Sequence, residues 1–294
     1  MNRSLLLVLT LLAGMHGAFG EESYVRYSQS PTSSRDAALQ TAVGHFSHPD
    51  HPGLEIVLYG VVHVGDLDYY KSVQKDLDSY TTVLYEMVLP GKNYKPTEDD
   101  RLFKEMQDGM GKMLGLTSQK VIDYTRKNLV HADLTMDEVK KAMGGESFSP
   151  MGGMVDKSQL RQMLPMMKSM QQLGAGMQDN LKRMMARQLA TAGTKAMPGK
   201  MGKVILFDRN DAVMKVLSKQ LNKTTKGEIA VFYGAAHHPD FEVRLAKLGW
   251  TKQSMRWMTA WKIGAGLEAE AGKTQEPTAP KATPAPAKPK ARWF

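Results

Sequence analysis

No cysteine occurs among the 294 residues. Disulfide frameworks, thiolate zinc sites and cysteine nucleophiles are therefore excluded together. Long apolar runs are scarce as well: beyond residues 1–20 no segment is apolar enough to cross a bilayer, which takes about 20 residues. The body also lacks a strong charge of one sign. The formal charge is +9, but Arg3 lies near the start and residues 271–294 hold five basic residues against one acidic, which leaves +4 between them. That excess is too mild and scattered for a DNA or RNA groove, so no nucleic-acid partner is expected. What is present, 42% hydrophobic and 23% charged residues, is ordinary for a globular chain and excludes a wholly disordered or fibrous one.

The two ends read differently from the body. Residues 1–20 have a positive start at Arg3, an apolar run from Leu5 to Leu12, and the small-x-small site Ala18-Phe19-Gly20 ahead of Glu21. This is the pattern of a cleaved secretory signal, so export to the periplasm or the extracellular space is expected, with no transmembrane helix in the mature chain. Residues 266–294 are rich in Ala, Pro, Lys and Thr, and Pro277, Pro280, Pro284, Pro286 and Pro289 forbid helix. They read as a disordered basic tail, a solubilising end or a contact for an anionic envelope surface. One domain is expected between them, over 21–265.

Within that domain, Tyr24–Tyr27 reads as a strand and the region around Arg35–Val43 as a helix. The loop that follows holds His45, His48 and His51, read as a polar connection in preference to a metal site, because a proline and a turn separate the rings.

The informative pattern occurs twice. Leu54–Val62 is an apolar run of strand length that ends in Tyr59-Gly60-Val61-Val62-His63, with Asp66 three residues on and helical spacing through Leu67, Tyr70, Val73 and Leu77. Glu228–Phe232 is a second such run, ending in Tyr233-Gly234-Ala235-Ala236-His237, with Asp240 three residues on and then Phe241, Leu245 and Leu248. Each copy places a histidine at the carboxyl end of a strand, where open α/β sheets bind ligands. Gly60 and Gly234 let backbone approach whatever the histidine contacts. Asp66 and Asp240 read as helix caps rather than catalysts.

Two further segments carry charge next to apolar runs. Thr81–Val88 is a strand candidate interrupted by Glu86 alone, a carboxylate that is costly to bury unless it is paired or bound to metal; the alternative is an edge position facing water. Val204–Phe207 reads as a strand, followed by Asp208 as N-cap and by Arg209 and Asn210 in the first helical turn. Arg209 then either pairs with a carboxylate such as Asp211 or holds a substrate carboxylate or oxyanion. Between the two copies, residues 97–200 read mainly as helices. Thr117-Ser118 opens one to Leu129, Thr135 with Glu138 forms a capping box, and two more span Leu160–Leu173 and Met177–Leu189. Met163, Met166, Met167 and Met170 share one side of the first of these, against which Met177, Met184 and Met185 are expected to pack. A deformable hairpin over the site, a peptide-accepting lid or a plain insertion all fit, with hinges at Gly144, Gly145, Gly152 and Gly153. A thioether copper site lacks a nearby histidine.

Taken in order, Gly60-Val61-Val62-His63, Glu86 in Tyr85-Glu86-Met87-Val88, Asp208-Arg209-Asn210 and Gly234-Ala235-Ala236-His237 resemble the TraB/GumN family, which includes the pheromone-shutdown and Tiki proteins. Leu248-Gly249-Trp250, followed by a strand through Trp257 and Trp261, resembles that family's ending, so the likeness spans 54–262. It implies an α+β fold of two related β/α halves around a central sheet, with the helical insertion between them. It also implies a divalent-metal-dependent peptidase, with manganese or cobalt favoured over structural zinc. On that reading His63 and His237 ligate one ion, Glu86 is the third ligand or the general base, and Arg209 binds the oxyanion or an adjacent carboxylate. Tyr59, Tyr233 and Asn210 support them. The rival is a non-catalytic protein that sequesters a peptide, haem or metal, since the wider superfamily includes a haem binder; His63 or Tyr59 would then be the axial ligand. The chain departs from the family in carrying Asp208 where relatives often have glutamate, and in its tail and Met-rich insert.

Overall fold

The computed structural model describes residues 23–92, 95, 97–144, 157–170, 174–192 and 199–264. The leader, the tail and the glycines at 145, 152 and 153 lie outside the described residues. The fold is α+β, with one mixed sheet as its centre. In chain order the strands are β1 (Val25–Gln29), β2 (Ala37–Ser47), β3 (Leu54–Val61), β4 (Val64–Gly65), β5 (Thr82–Tyr85), β6 (Thr117–Ser118), β7 (Leu129–His131), β8 (Gly227–Gly234) and β9 (Thr251–Ile263). The main helices are α1 (Leu67–Ser79), α2 (Glu98–Met113), α3 (Met136–Ala142), α4 (Lys157–Met170), α5 (Ala175–Ala192), α6 (Arg209–Leu221) and α7 (His238–Lys247).

The sheet has an antiparallel part and a parallel part. Strands β3, β8, β5 and β7 run parallel, in that spatial order. A parallel strand is covered on both faces, and β3 is buried along its length except at Glu55. On the other side of β3, β2 pairs antiparallel with it through Val43–Ser47 and with β1 through Ala37–Thr41, while β9 runs along its opposite edge.

Residues level with each other across a ladder share a face. Tyr59 is level with Phe232, and its hydroxyl bonds Asp76 of α1. Gly60 is level with Tyr233, whose ring meets Phe241 of α7 edge-on. Helices therefore cover both faces, and the two Tyr-Gly-x-x-His copies are one residue out of step, with their tyrosines on opposite faces. Gly60 is needed for close approach: a Cβ there would lie 3.0 Å from the Ala42 carbonyl and 3.4 Å from Ala235 Cβ.

Several expectations hold: the strand at 54–61, the helix from Leu67, the strand through Trp257 and Trp261, and the Thr135–Glu138 capping box, complete in both directions. Three do not. Residues 37–47 form β2 rather than a helix, because partners on both edges satisfy its backbone. After Thr117-Ser118 there is no long helix; those residues pair with Val64-Gly65 as β6, and Gln119 N–H donates to the His63 carbonyl at 2.9 Å, which commits the backbone elsewhere. Val204–Phe207 lies in a π-helical turn, Lys203–Asp208, that runs into α6, and Val204 is buried against Val139 and Met143 instead of joining a ladder.

The methionine helices part company. Met163 and Met167 of α4 are buried, and Met167 Cε lies 3.4 Å from where a Cβ on Gly109 of α2 would sit. Helix α5 lies against β1, β2 and β9, where Met185, Ala186 and Leu189 join the main core. Met166 and Met177 are exposed, so the single methionine face expected for a hairpin is split between two packing partners. No helix of the described residues is long and apolar enough to cross a membrane.

Candidate functional site

The parallel strands end at one edge of the sheet, and four loops meet there. Glu86 follows β5, Asp133 follows β7, His63 follows β3, and His237 closes the 3-10 turn Ala235–His237 after β8. Arg209 enters from the start of α6. Glu86 Oε1 accepts from Arg209 Nη2 at 2.7 Å, and Oε2 accepts from Gly234 N–H at 2.5 Å. His237 Nε2 lies 3.8 Å from Glu86 Oε1. A Cβ on Gly234 would stand 3.2 Å from Glu86 Oε2, 3.7 Å from His237 Cδ2 and 4.0 Å from His63 Nε2. Glycine is thus what leaves room where the two imidazoles and the carboxylate converge.

Each imidazole is oriented by an amide. His237 Nδ1 meets Asn210 Oδ1 at 2.6 Å, while Asn210 Nδ2 donates to Asp240 Oδ2 at 2.7 Å. His63 Nδ1 meets Gln119 Oε1 at 3.1 Å, while Gln119 Nε2 donates to Tyr124 Oη at 2.9 Å. With the amide oxygens accepting, both Nδ1 atoms carry the proton and both Nε2 lone pairs are left for the site. Amides and carboxylates bonded behind a histidine in this way are what fix metal-ligating rings.

The charge pattern follows from burial and pairing. Arg209 makes two bonds to Asp133, Nε to Oδ1 at 2.9 Å and Nη2 to Oδ2 at 2.6 Å, and its third to Glu86. Burial works to raise the Glu86 carboxyl, but Arg209, then His237 and His63, and the Gly234 N–H outweigh it and hold the group well below the carboxylate range. Burial lowers His237 to about 4 against the opposing pull of Glu86, so the ring is neutral near pH 7. Burial opposes the Arg209 charge, yet Glu86 and Asp133 raise its pKa on balance. Nη1 of Arg209 makes no hydrogen bond among the described residues.

The fit to a divalent ion is mixed. Two imidazole nitrogens and a carboxylate are suitable donors, and the 3.8 Å between His237 Nε2 and Glu86 Oε1 is near the ligand spacing of about 3.3 Å around an ion bound at about 2.0–2.1 Å. The ligand atoms of His63, Glu86 and His237 do not all fall within 4.8 Å of one another, and His63 is the exposed, outlying member. Two clefts of described residues lie elsewhere: about 450 Å³ beside Asp66, Leu114, Asp179 and Lys182, and about 270 Å³ beside His48, His51, Glu55 and Glu228.

The supporting residues divide. Tyr233 donates to the Ala132 carbonyl at 2.7 Å and sets its ring edge-on against His237. Tyr59 is buried on the other face with its hydroxyl on Asp76, and burial raises its pKa further, so it is closed to an axial-ligand role. Asp66 and Asp208 stand at the expected N-cap positions and Asp240 does not, but none of the three makes a side-chain cap bond. Asp66 occupies the N-cap position without a side-chain cap bond and instead accepts from Lys262 N–H. Asp240 lies inside the first turn of α7, where it receives Asn210 and Arg244. Asp208 pairs with Lys203, and the π-turn already supplies helical backbone before α6.

Asp133 and Gln119 are the residues that sequence reasoning passed over. A signal for Asp133 exists, since the apolar run Leu129-Val130 pairs with Val83-Leu84 in the ladder and Asp133 lies two residues past His131 at the strand end, as Glu86 lies one past Tyr85, but a three-residue strand is too short to stand out. Comparisons with family models, curated proteins and solved structures returned no match to this chain.

Proposed function

We propose that the chain is an exported, TraB/GumN-like metal-dependent hydrolase of peptide bonds. His63 and His237 would hold one divalent ion, manganese or cobalt, through Nε2, with Glu86 beside them. The observation that supports this best is the pair of amide-oriented histidines directing two free Nε2 lone pairs toward Gly234 and Glu86. A bound ion supplies Lewis acidity for a scissile carbonyl and acidifies water. Glu86, held far down the acid range, is a poor base and a standing anion, so the ligand role suits it better than proton abstraction. His237, neutral with Asn210 behind it, keeps its lone pair at physiological pH. Arg209, locked by Asp133, presents Nη1 to a carbonyl oxygen or a substrate carboxylate.

One observation favours a second reading, a protein that binds and sequesters a peptide or metal without cleaving it: both Glu86 oxygens are already engaged. Cleavage of a quenched-peptide library by the full mature chain decides between them. Activity is expected to vanish with chelator, return with manganese or cobalt, and be lost in folded His63→Ala and His237→Ala proteins. No cleavage by the wild type with any divalent ion, or cleavage untouched by both substitutions, overturns the hydrolase reading.

A further inference from the structure

We propose that His45, Glu55 and Glu228 form a second metal site, for a borderline divalent ion of the zinc class, which staples three strands at the sheet end remote from His63 and His237. These are the three described residues whose ligand atoms all lie within 4.8 Å of one another. His45 Nδ1 is 3.2 Å from Glu55 Oε2 and 3.9 Å from Glu228 Oε1, close to the spacing of about 3.3 Å between neighbouring ligands on a tetrahedral ion.

Backbone register puts them there. Glu55 and Glu228 are level on the parallel pair β3 and β8, and His45 on β2 faces Val57, one diagonal step from Glu55 on the same face. Carboxylates placed directly opposite each other repel. Among the described residues neither is paired with a lysine or arginine; His45 is the sole partner of both. A divalent cation removes that repulsion, and a protonated imidazole alone does so with half the charge.

The donor set and surroundings narrow the ligand. One imidazole with two carboxylates suits zinc and its neighbours, whereas calcium and magnesium take oxygen only. The side chains of Glu55 and Glu228 are 49% and 37% exposed, so water can complete the coordination. Strand positions are rigid, which fixes the three backbone positions from which the ligands reach. His48 is not part of the set: its Nδ1 accepts from Asp50 N–H at 3.0 Å and its Nε2 bonds the Leu248 carbonyl at 3.1 Å. Of the three histidines that share this stretch of sequence, His45 is the one within 4.0 Å of Glu55 and Glu228; the His48 and His51 rings lie against each other and Trp250, and the carboxylate nearest His48 is Asp50. From Glu55 to His63 the chain runs along β3 and beyond, about 20 Å or more, so the two sites are independent.

Zinc binding to the untagged full chain, followed by calorimetry and equilibrium dialysis, tests this in a His63→Ala/His237→Ala background. That choice keeps the result separate from the function proposed above. One ion per chain is expected, with affinity falling at least tenfold in His45→Ala, Glu55→Gln or Glu228→Gln and with the zinc-dependent rise in melting temperature lost. His48→Ala should leave binding in place. Should the background variant fail to fold, Glu228→Gln in the otherwise wild-type chain must lower zinc stoichiometry by one. No zinc bound by the folded background variant, binding that survives all three substitutions, or an equal loss with His48→Ala overturns the proposal.

Discussion

Asp133→Asn removes one charge from the site while keeping the shape of the side chain. The Asp133 side chain is fully buried; it takes Arg209 Nε at 2.9 Å and Nη2 at 2.6 Å, and it accepts Leu134 N–H at 2.7 Å. An asparagine can keep one oxygen toward the guanidinium, but its NH₂ then opposes an N–H donor. Arg209, only 12% exposed, is left with Glu86 as its single anionic partner. Breaking a buried ion pair from one side costs about 3–5 kcal/mol, and the remaining Glu86 bond puts the expected loss near the low end, about 3 kcal/mol. For a domain of this size that corresponds to a melting temperature lower by about 6–12 °C. Urea and thermal unfolding at pH 7 measure it, alongside Arg209→Met and the double variant. Groups that share one network should couple by about 1–3 kcal/mol in that cycle. A loss under about 1 kcal/mol, or strict additivity with Arg209→Met, would refute the claim that Asp133 anchors Arg209.

Acid should destabilise the metal-free protein through His237. Its folded pKa is about 4 against 6.5 unfolded, so the unfolded chain takes up the proton first as pH falls. The contribution is whole above pH 6.5, declines below it and levels off near pH 4, a swing of about 3 kcal/mol. Urea titrations of the wild type and His237→Gln across that range should diverge only for this reason, and parallel curves would contradict it. Gly234→Ala should weaken metal binding at least tenfold with only a small loss of stability, because the new Cβ presses on Glu86 Oε2 at 3.2 Å; metal titration with circular dichroism reads both. Met185→Ala should cost about 2–5 kcal/mol in chemical denaturation, because that side chain is 2% exposed inside the main core; a change within about 0.5 kcal/mol would mean α5 behaves as a detachable lid.

Some of this protein is written locally. The strand at 54–61, the helix from Leu67 and the Thr135–Glu138 capping box each follow from residues within one turn or one strand of each other. The doubled Tyr-Gly-x-x-His pattern likewise places two histidines after strand ends. Other features depend on partners distant in the chain. Ala37–Ser47 is rich in residues that tolerate a helix, and it becomes a strand because β9 along one edge and β1 and β3 along the other take up its backbone. The one-residue offset between β3 and β8 turns Tyr59 and Tyr233 to opposite faces, although their local sequences match. Asp66, Asp208 and Asp240 sit where caps belong in sequence, but Lys262, Lys203, Asn210 and Arg244 claim their oxygens. Asp133 and Gln119 become part of the site only because β7 lies beside β5 and because β6 returns to β4. Short-range sterics and periodicity set the elements; charge pairing and ladder register, which join residues as distant in the chain as Ala37 and Ile263, decided which side chains meet.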